Sequence, residues 1–408
     1  MTESTGERPV ADPSILALKD DLPAFRAALR AWLAHNTPRD WEERLARDFD
    51  TEFVSVQKDW LAALETIGLA VPHWPRQWGG PDLSIRLQVA IYQEFARANT
   101  PGLGMYSISH NLLPATLHDW GTPEQVARYM PAARQGEIWC QGFSEPGAGS
   151  DLASLRTRAV RDGDQYVING QKIWSSGAKF AQFYMLLART DPDAPRHKGI
   201  SMLIVDLRSP GVQIRPIRQI NGNAEFCEVF LDNVKVPVSN LIGPENGGWR
   251  VAQSTLSTER GLTILNCSER MQFLFERILE QVRAGRAPWY DDDQWRREFV
   301  RAYTDLQAVR QVVRQMLENV ERTGAVGDTP LYVKLLYSEV QQRATELFLR
   351  IEGIEGQHLA MRHVRGYPTG SWLYDYVSSW AWTIAGGTNE VIRNIVAERQ
   401  IGLPREPR

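Results

Sequence analysis

The run "DGDQYVINGQKIW" (Asp162–Trp174) sets β-formers between two turn signals, Asp162-Gly163 and Asn169-Gly170. That pattern predicts short antiparallel strands rather than helix. The stretches "FYMLLART", "GISMLIVDL", "VQIRPI" and "CEVFLDNVKVP" extend the antiparallel series to about Pro237. On both sides the apolar period changes. From about Asp12 to Gly136, Phe25, Leu29 and Leu33, then Leu61, Leu64 and Ile67, recur at helical spacing. After "GPENGGW" the chain turns to long Ala/Leu/Arg/Glu-rich helices that run to Gly402, broken by the loop "RAGRAPWYDDDQ". The order is helical, β, helical, with divisions expected at 1–137, 138–247 and 248–408.

Composition narrows the function classes. At 408 residues and 43% hydrophobic, the chain is long enough for two or three domains sharing large cores. A net charge of −3, with both signs interspersed, points to neither a nucleic-acid partner nor a membrane surface. Cys140, Cys227 and Cys267 are odd in number and far apart, which argues against a disulfide framework or a zinc site and fits a reducing cytoplasm. The polar, acid-containing start "MTESTGERPVADPS" reads as neither a secretory signal nor a transit peptide. No apolar run approaches a membrane span. A soluble cytoplasmic protein without a metal is the expectation.

Two stretches carry chemistry. In "WCQGFSEPGAGSDL" (Trp139–Leu152), Gly147 and Gly149 bring backbone amides forward while Ser144 and Ser150 add hydroxyls. Such a set suits a phosphate or an acceptor-rich ring. It lacks the strand, G-x-G-x-x-G, helix order of a dinucleotide fold, and the chain holds no Walker loop, H-E-x-x-H pair or G-x-S-x-G elbow. In "TIAGGTNEVIRN" (Thr383–Asn394), Gly386 and Gly387 let a backbone approach a ligand and Thr388 can cap a helix whose buried side is Val391, Ile392, Ile395 and Val396. No acid or base precedes Glu390 there.

Together, "CQGFSEPGAGSDLASLRTRA", "INGQKIWSSGAKFAQFYMLLART" and "TIAGGTNEVIRNIVAERQIGLP" resemble the acyl-CoA dehydrogenase family over nearly the whole chain. The resemblance implies an α+β fold: an N-terminal helical domain, a central β-barrel-like domain and a C-terminal four-helix bundle. It implies FAD as cofactor, an acyl-CoA substrate desaturated between its α and β carbons, and an electron-transferring flavoprotein as electron acceptor. By the same resemblance Gln141, Phe143, Ser144, Ser150, Trp174, Ser176, Thr388 and Glu390 contact FAD, while Ser150, Ser257, Arg260 and Gly387 face the substrate. The family assembles as homotetramers or dimers, and one branch as two-plus-two heterotetramers. The cross-subunit R-x-x-F-G motif is incomplete here: Arg296 and Phe299 have the spacing, but Val300 replaces the glycine. An oxygen-using oxidase or monooxygenase of the same fold, or a non-catalytic subunit, is the alternative.

The desaturation needs a base, and the position that most often supplies it is Gly386. A minority branch places the glutamate on an earlier helix, matching Glu259 in "STERG". At helical spacing Glu259 shares a face with Ala252, Leu256, Leu262 and Thr263, with Asn266 a turn further on. Mostly apolar surroundings should raise a carboxylate above its usual ~4.3, the direction a general base near neutrality needs. An ion pair with Arg260 is the structural alternative, and the two can coexist. Gly386 retains its amide, a donor for the thioester carbonyl in an oxyanion hole, and leaves room for a branched acyl group.

Overall fold

A computed structural model of the chain describes residues 14–259, 262–323, 329–357 and 371–405. The N-terminal helices are α1 (Ser14–Ala17), α2 (Leu22–Asn36), α3 (Trp41–Arg47), α4 (Phe49–Glu65), α5 (Ile85–Arg97), α6 (Leu113–Trp120) and α7 (Pro123–Arg134). Side-chain caps set the starts of α2, α5 and α7: Asp21, Ser84 and Thr122 each accept from an amide of the first turn, Thr122 in a full capping box with Gln125.

The strands are β1 (Trp139–Gly142), β2 (Arg158–Asp162), β3 (Gln165–Ser176), β4 (Phe183–Arg189), β5 (Ile200–Asp206), β6 (Val212–Pro216), β7 (Phe226–Pro237) and β8 (Leu241–Ile242). They form one sheet in the order β6-β7-β3-β2-β4-β5-β8, with β1 beside β4. The series is not wholly antiparallel: β1 and β2 both meet β4 in parallel. Only one of the two turn signals makes a turn. The β2–β3 hairpin closes on Gly163-Asp164, one residue on from the predicted pair, whereas Asn169-Gly170 lies inside β3 at a register shift. There Asn169 exchanges hydrogen bonds with Asn233, a left-handed residue at φ 52° on β7, and a Cβ at position 170 would lie 2.4 Å from the Thr157 hydroxyl. Asn and Gly serve a bulge for the same reasons they serve a turn.

β4 and β5 are buried on both faces, and their alternation separates two cores. Met185, Leu187, Met202 and Ile204 pack with Leu113, Leu117, Tyr129 and Met130 of the N-terminal helices and with Val251 and Ala252. The intervening Tyr184, Leu186, Leu203 and Val205 pack with Val229, Leu231 and Val234 inside the β layer. The C-terminal helices are α8 (Gly248–Glu259), α9 (Leu262–Arg283), α10 (Asp293–Thr323), α11 (Thr329–Glu352), α12 (Trp372–Ile384) and α13 (Asn389–Ile395). Phe275, Phe299, Tyr337 and Phe348 of this bundle share one core with Phe25, Leu64 and Ile91. Among the described residues no helix is long and apolar enough to cross a membrane.

Candidate active site

The segment 139–150 leaves the sheet at β1 and folds back over β3. Ile173 donates its amide to the Ser144 carbonyl at 3.0 Å. Beneath that contact lies a buried ion pair that the sequence did not reveal. Lys172 Nζ donates to Glu145 Oε1 at 2.9 Å and to the Phe143 carbonyl at 3.0 Å. Glu145 also accepts the amides of Arg156 and Thr157 at 2.6 and 2.8 Å. Burial raises the Glu145 carboxyl, but Lys172 and these donors outweigh it and hold it below the usual range. Burial pulls Lys172 down to about 8 against the opposing pull of Glu145, so both groups are charged at neutral pH. Removing one partner of such a pair strands a buried charge, typically at ~3–5 kcal/mol.

This brace turns three predicted residues into one wall. Phe143 is buried, Ser144 and Gln141 are half-buried, and Gln141 Oε1 has no hydrogen-bond partner among the described residues. Beyond them Ser150 is exposed, and ideal Cβ atoms on Gly147 and Gly149 would meet nothing within 4 Å among the described residues. Trp174 stands beside this wall at φ 60°, a left-handed conformation that is a genuine outlier for a bulky side chain. Its indole is 56% exposed at a break in the β3–β7 register and meets Phe226 edge-on, with centroids 6.2 Å apart. Backbone strain of this kind costs about 1–3 kcal/mol and clusters at functional sites. Ser176, half-buried, pairs with Phe226 across β3 and β7.

The glycine pair reaches the β layer through α12. Asn221 and Asn223, in the loop before β7, donate to Ser378 Oγ at 3.0 Å and Tyr374 OH at 2.9 Å. Past the C-terminus of α12, Gly386 and Gly387 take φ 67° and 92°, which favour glycine, and a Cβ at 386 would meet nothing within 4 Å among the described residues. Thr388 caps α13 as expected, accepting from the Val391 amide at 3.2 Å. Of the four apolar positions on α13 and the turn after it, Ile392 is fully buried and Val391, Ile395 and Val396 half-buried. Glu390 is exposed, and the first-turn amide, the Thr388 hydroxyl and Arg393 lower its pKa.

α8 is helical to position 259, and its register puts that residue on the stripe of Ala252 and Thr255, both buried. Thr255 shares a 2.8 Å hydrogen bond with Thr116, tying α8 to α6. The side chains of Ser257 and Glu259, and all of Arg260, lie outside the described residues. Phe299 fills the helical core against Phe275, and Arg296 bonds the Tyr290 carbonyl at 3.1 Å. Neither is thereby given a cofactor role.

Three family profiles cover this arrangement: acyl-CoA dehydrogenase N-terminal domain over 19–137, middle domain over 140–234 and C-terminal domain over 246–401. The chain belongs to the acyl-CoA dehydrogenase family. It is therefore an enzyme of a family of FAD-dependent oxidoreductases in lipid metabolism. Acyl-CoA dehydrogenase IpdE1 of Mycobacterium tuberculosis is 40% identical over 397 residues, 95% of this chain and 99% of that protein. The solved steroid acyl-CoA dehydrogenase Tcur3481-Tcur3483 superposes with a TM-score of 0.82 at 33% identity, covering 95% of this chain and 98% of that one. The ChsE4-ChsE5 complex of Mycobacterium tuberculosis gives a TM-score of 0.72 at 26% identity, with 100% of both chains covered. The residues present fit a flavin: the unpartnered Gln141 oxygen, the open glycine turns and the projecting Trp174 offer a polar edge, backbone amides and an aromatic flank.

Proposed function

We propose that this enzyme desaturates an acyl-CoA thioester between its α and β carbons, with Glu259 as the base. The observation that carries this reading is Gly386: at the family's usual base position stands a left-handed glycine with open space where a side chain would project. Bound FAD would supply the acceptor for the β-hydrogen as hydride. Gln141, Phe143, Ser144, Trp174, Ser176, Thr388 and Glu390 would hold it, with Ser150 shared between its diphosphate and the thioester. Glu259 removes the α-proton, Gly386 offers its amide to the thioester oxygen, and Ser257, Arg260 and Gly387 orient the substrate.

The acyl group is bulky or branched. The space at position 386 supports this, as does the similarity to a dehydrogenase described as acting on steroids. Electrons pass to an electron-transferring flavoprotein. Assembly with a homologous subunit is part of the proposal, supported by the two-component composition of similar solved proteins and by Trp380 and Ile384, large apolar side chains left exposed on α12. The three divisions 1–137, 138–247 and 248–408 are proposed as its domains.

The test is anaerobic and aerobic flavin spectroscopy with a panel of acyl-CoAs, repeated with Glu259→Gln. Bleaching without oxygen uptake, abolished in Glu259→Gln although ligand still binds, is the expected outcome. Rapid reoxidation by oxygen would point to an oxidase, and no bleaching at all to a non-catalytic subunit. Reduction of Glu259→Gln at the wild-type rate would remove Glu259 from its role.

A further inference from the structure

The Gly386-Gly387 turn has no side chain with which to anchor itself, yet its orientation decides where the Gly386 amide points. α11 supplies the anchor. Lys334, 3% exposed, donates Nζ–H bonds of 2.7 Å to the Gly387 carbonyl and 2.7 Å to Asn389 Oδ1. Ser338, one turn along α11 and fully buried, meets Asn389 at 3.0 Å. On the other side of the turn, Tyr337 of α11 packs edge-on against Trp382 of α12, with centroids 5.7 Å apart. One helix therefore grips the chain both before and after the two glycines.

Burying an ammonium is expensive, and a methionine would fill the same volume without that cost. What the ammonium adds is direction. Charge-assisted bonds are shorter and about twice as strong as neutral ones, and here they fix a carbonyl and a side-chain amide within three residues of each other. Two successive glycines at positive φ have many alternative conformations. Holding the Gly387 oxygen on one side and Trp382 on the other narrows the rotations that would turn the Gly386 amide away.

We propose that Lys334 is a positioning residue for the acyl carbonyl, holding Gly387 and Asn389 so that the Gly386 amide keeps its aim at the thioester oxygen. The inference rests on the reading of Gly386 as that donor. It is tested on the FAD-loaded protein with two ligands that cannot be turned over: 2-octenoyl-CoA, which carries the carbonyl, and S-octyl-CoA, which lacks it. Dissociation constants are read from the flavin absorbance. In Lys334→Met, 2-octenoyl-CoA should bind at least about tenfold more weakly while S-octyl-CoA changes by less than about twofold. Lys334→Arg should recover part of the loss, and flavin content should stay at the wild-type level. Equal weakening of both ligands would reduce Lys334 to a structural role, and no change for either would overturn the proposal outright. If Lys334→Met does not fold, Asn389→Ala removes the other end of the brace and is judged by the same two constants. Should the wild type bind both ligands equally, the Gly386 reading itself fails, whatever Lys334 does.

Discussion

In a Glu259→Gly background, a glutamate installed at position 386 asks whether the two base positions of the family serve one proton. The structure sets the expected size of the rescue. Space is not the obstacle among the described residues, where a Cβ at 386 would meet nothing within 4 Å. Conformation is: at φ 67° a non-glycine residue pays roughly 1–2 kcal/mol. Relieved by moving the turn, that strain leaves the productive conformation roughly 5–30-fold less populated. A carboxylate misplaced by about 1 Å loses a further ~10²-fold. Against this, removing a general base costs up to ~10⁴, the upper figure being the one expected where no other acid or base stands in the proposed site. Glu259→Gly with Gly386→Glu should therefore reduce its flavin about tenfold faster than Glu259→Gly alone, yet remain on the order of 10³ below wild type. Single-turnover stopped-flow across straight-chain and branched acyl-CoAs is the assay. Recovery should be larger for straight chains, because the new side chain takes the space Gly386 leaves open. A double variant no faster than Glu259→Gly on every substrate would refute the placement of Gly386 beside the α-carbon.

Two further outcomes follow from the wall and from a buried histidine. Ser150→Ala with Thr388→Ala should purify with reduced FAD occupancy, the lost cap alone weakening α13 by about 0.5–2 kcal/mol; full occupancy that survives dilution would count against both contacts. His110, fully buried and stacked on Tyr106, is pulled down to about 3, chiefly by burial and then by His73. The unfolded chain therefore takes up a proton near pH 6.5 that the folded chain refuses until about pH 3. Stability contributed by neutral His110 is present above pH 6.5 and falls toward pH 3, by up to about 1.4 kcal/mol per pH unit. Denaturant midpoints measured across that window should slope less in His110→Phe than in wild type; identical slopes would exclude His110 as the source.

What the sequence made legible was local. The short run "FYMLLAR" was legible as a strand, and it is apolar throughout because its odd and even positions face two different cores; Thr388 was recognisable as a cap because capping is a three-residue interaction. Asn169-Gly170 was misread because a bulge and a hairpin turn select the same residues. The braces left no local trace. Lys172 and Glu145 are 27 residues apart, and Lys334 and Gly387 are 53 apart. A lysine within a β run and another on an amphipathic helix both look like solvated residues until the fold buries them. Nor does anything in "KIWSS" announce that Trp174 bends into the left-handed region, since tryptophan is an ordinary strand residue.

The two braces share a logic that bears on the proposed place of the base. Each buried lysine fixes a loop carbonyl, Phe143 in one case and Gly387 in the other, and both loops belong to the proposed cofactor and substrate contacts. A loop held by its backbone leaves its side chains unconstrained, and at 386 it can dispense with one altogether. Two consecutive left-handed residues, at φ 67° and 92°, are cheap for glycine and costly for glutamate. A chain that adopts this turn gains nothing by keeping its base there. Position 259, the proposed base, lies at the end of α8, which Thr255 and Thr116 stitch to α6. On the proposed reading, Gly386 and Glu259 form a coupled choice: the turn that would present an amide to the thioester is a poor place for a side chain, and the helix would carry the acid–base chemistry.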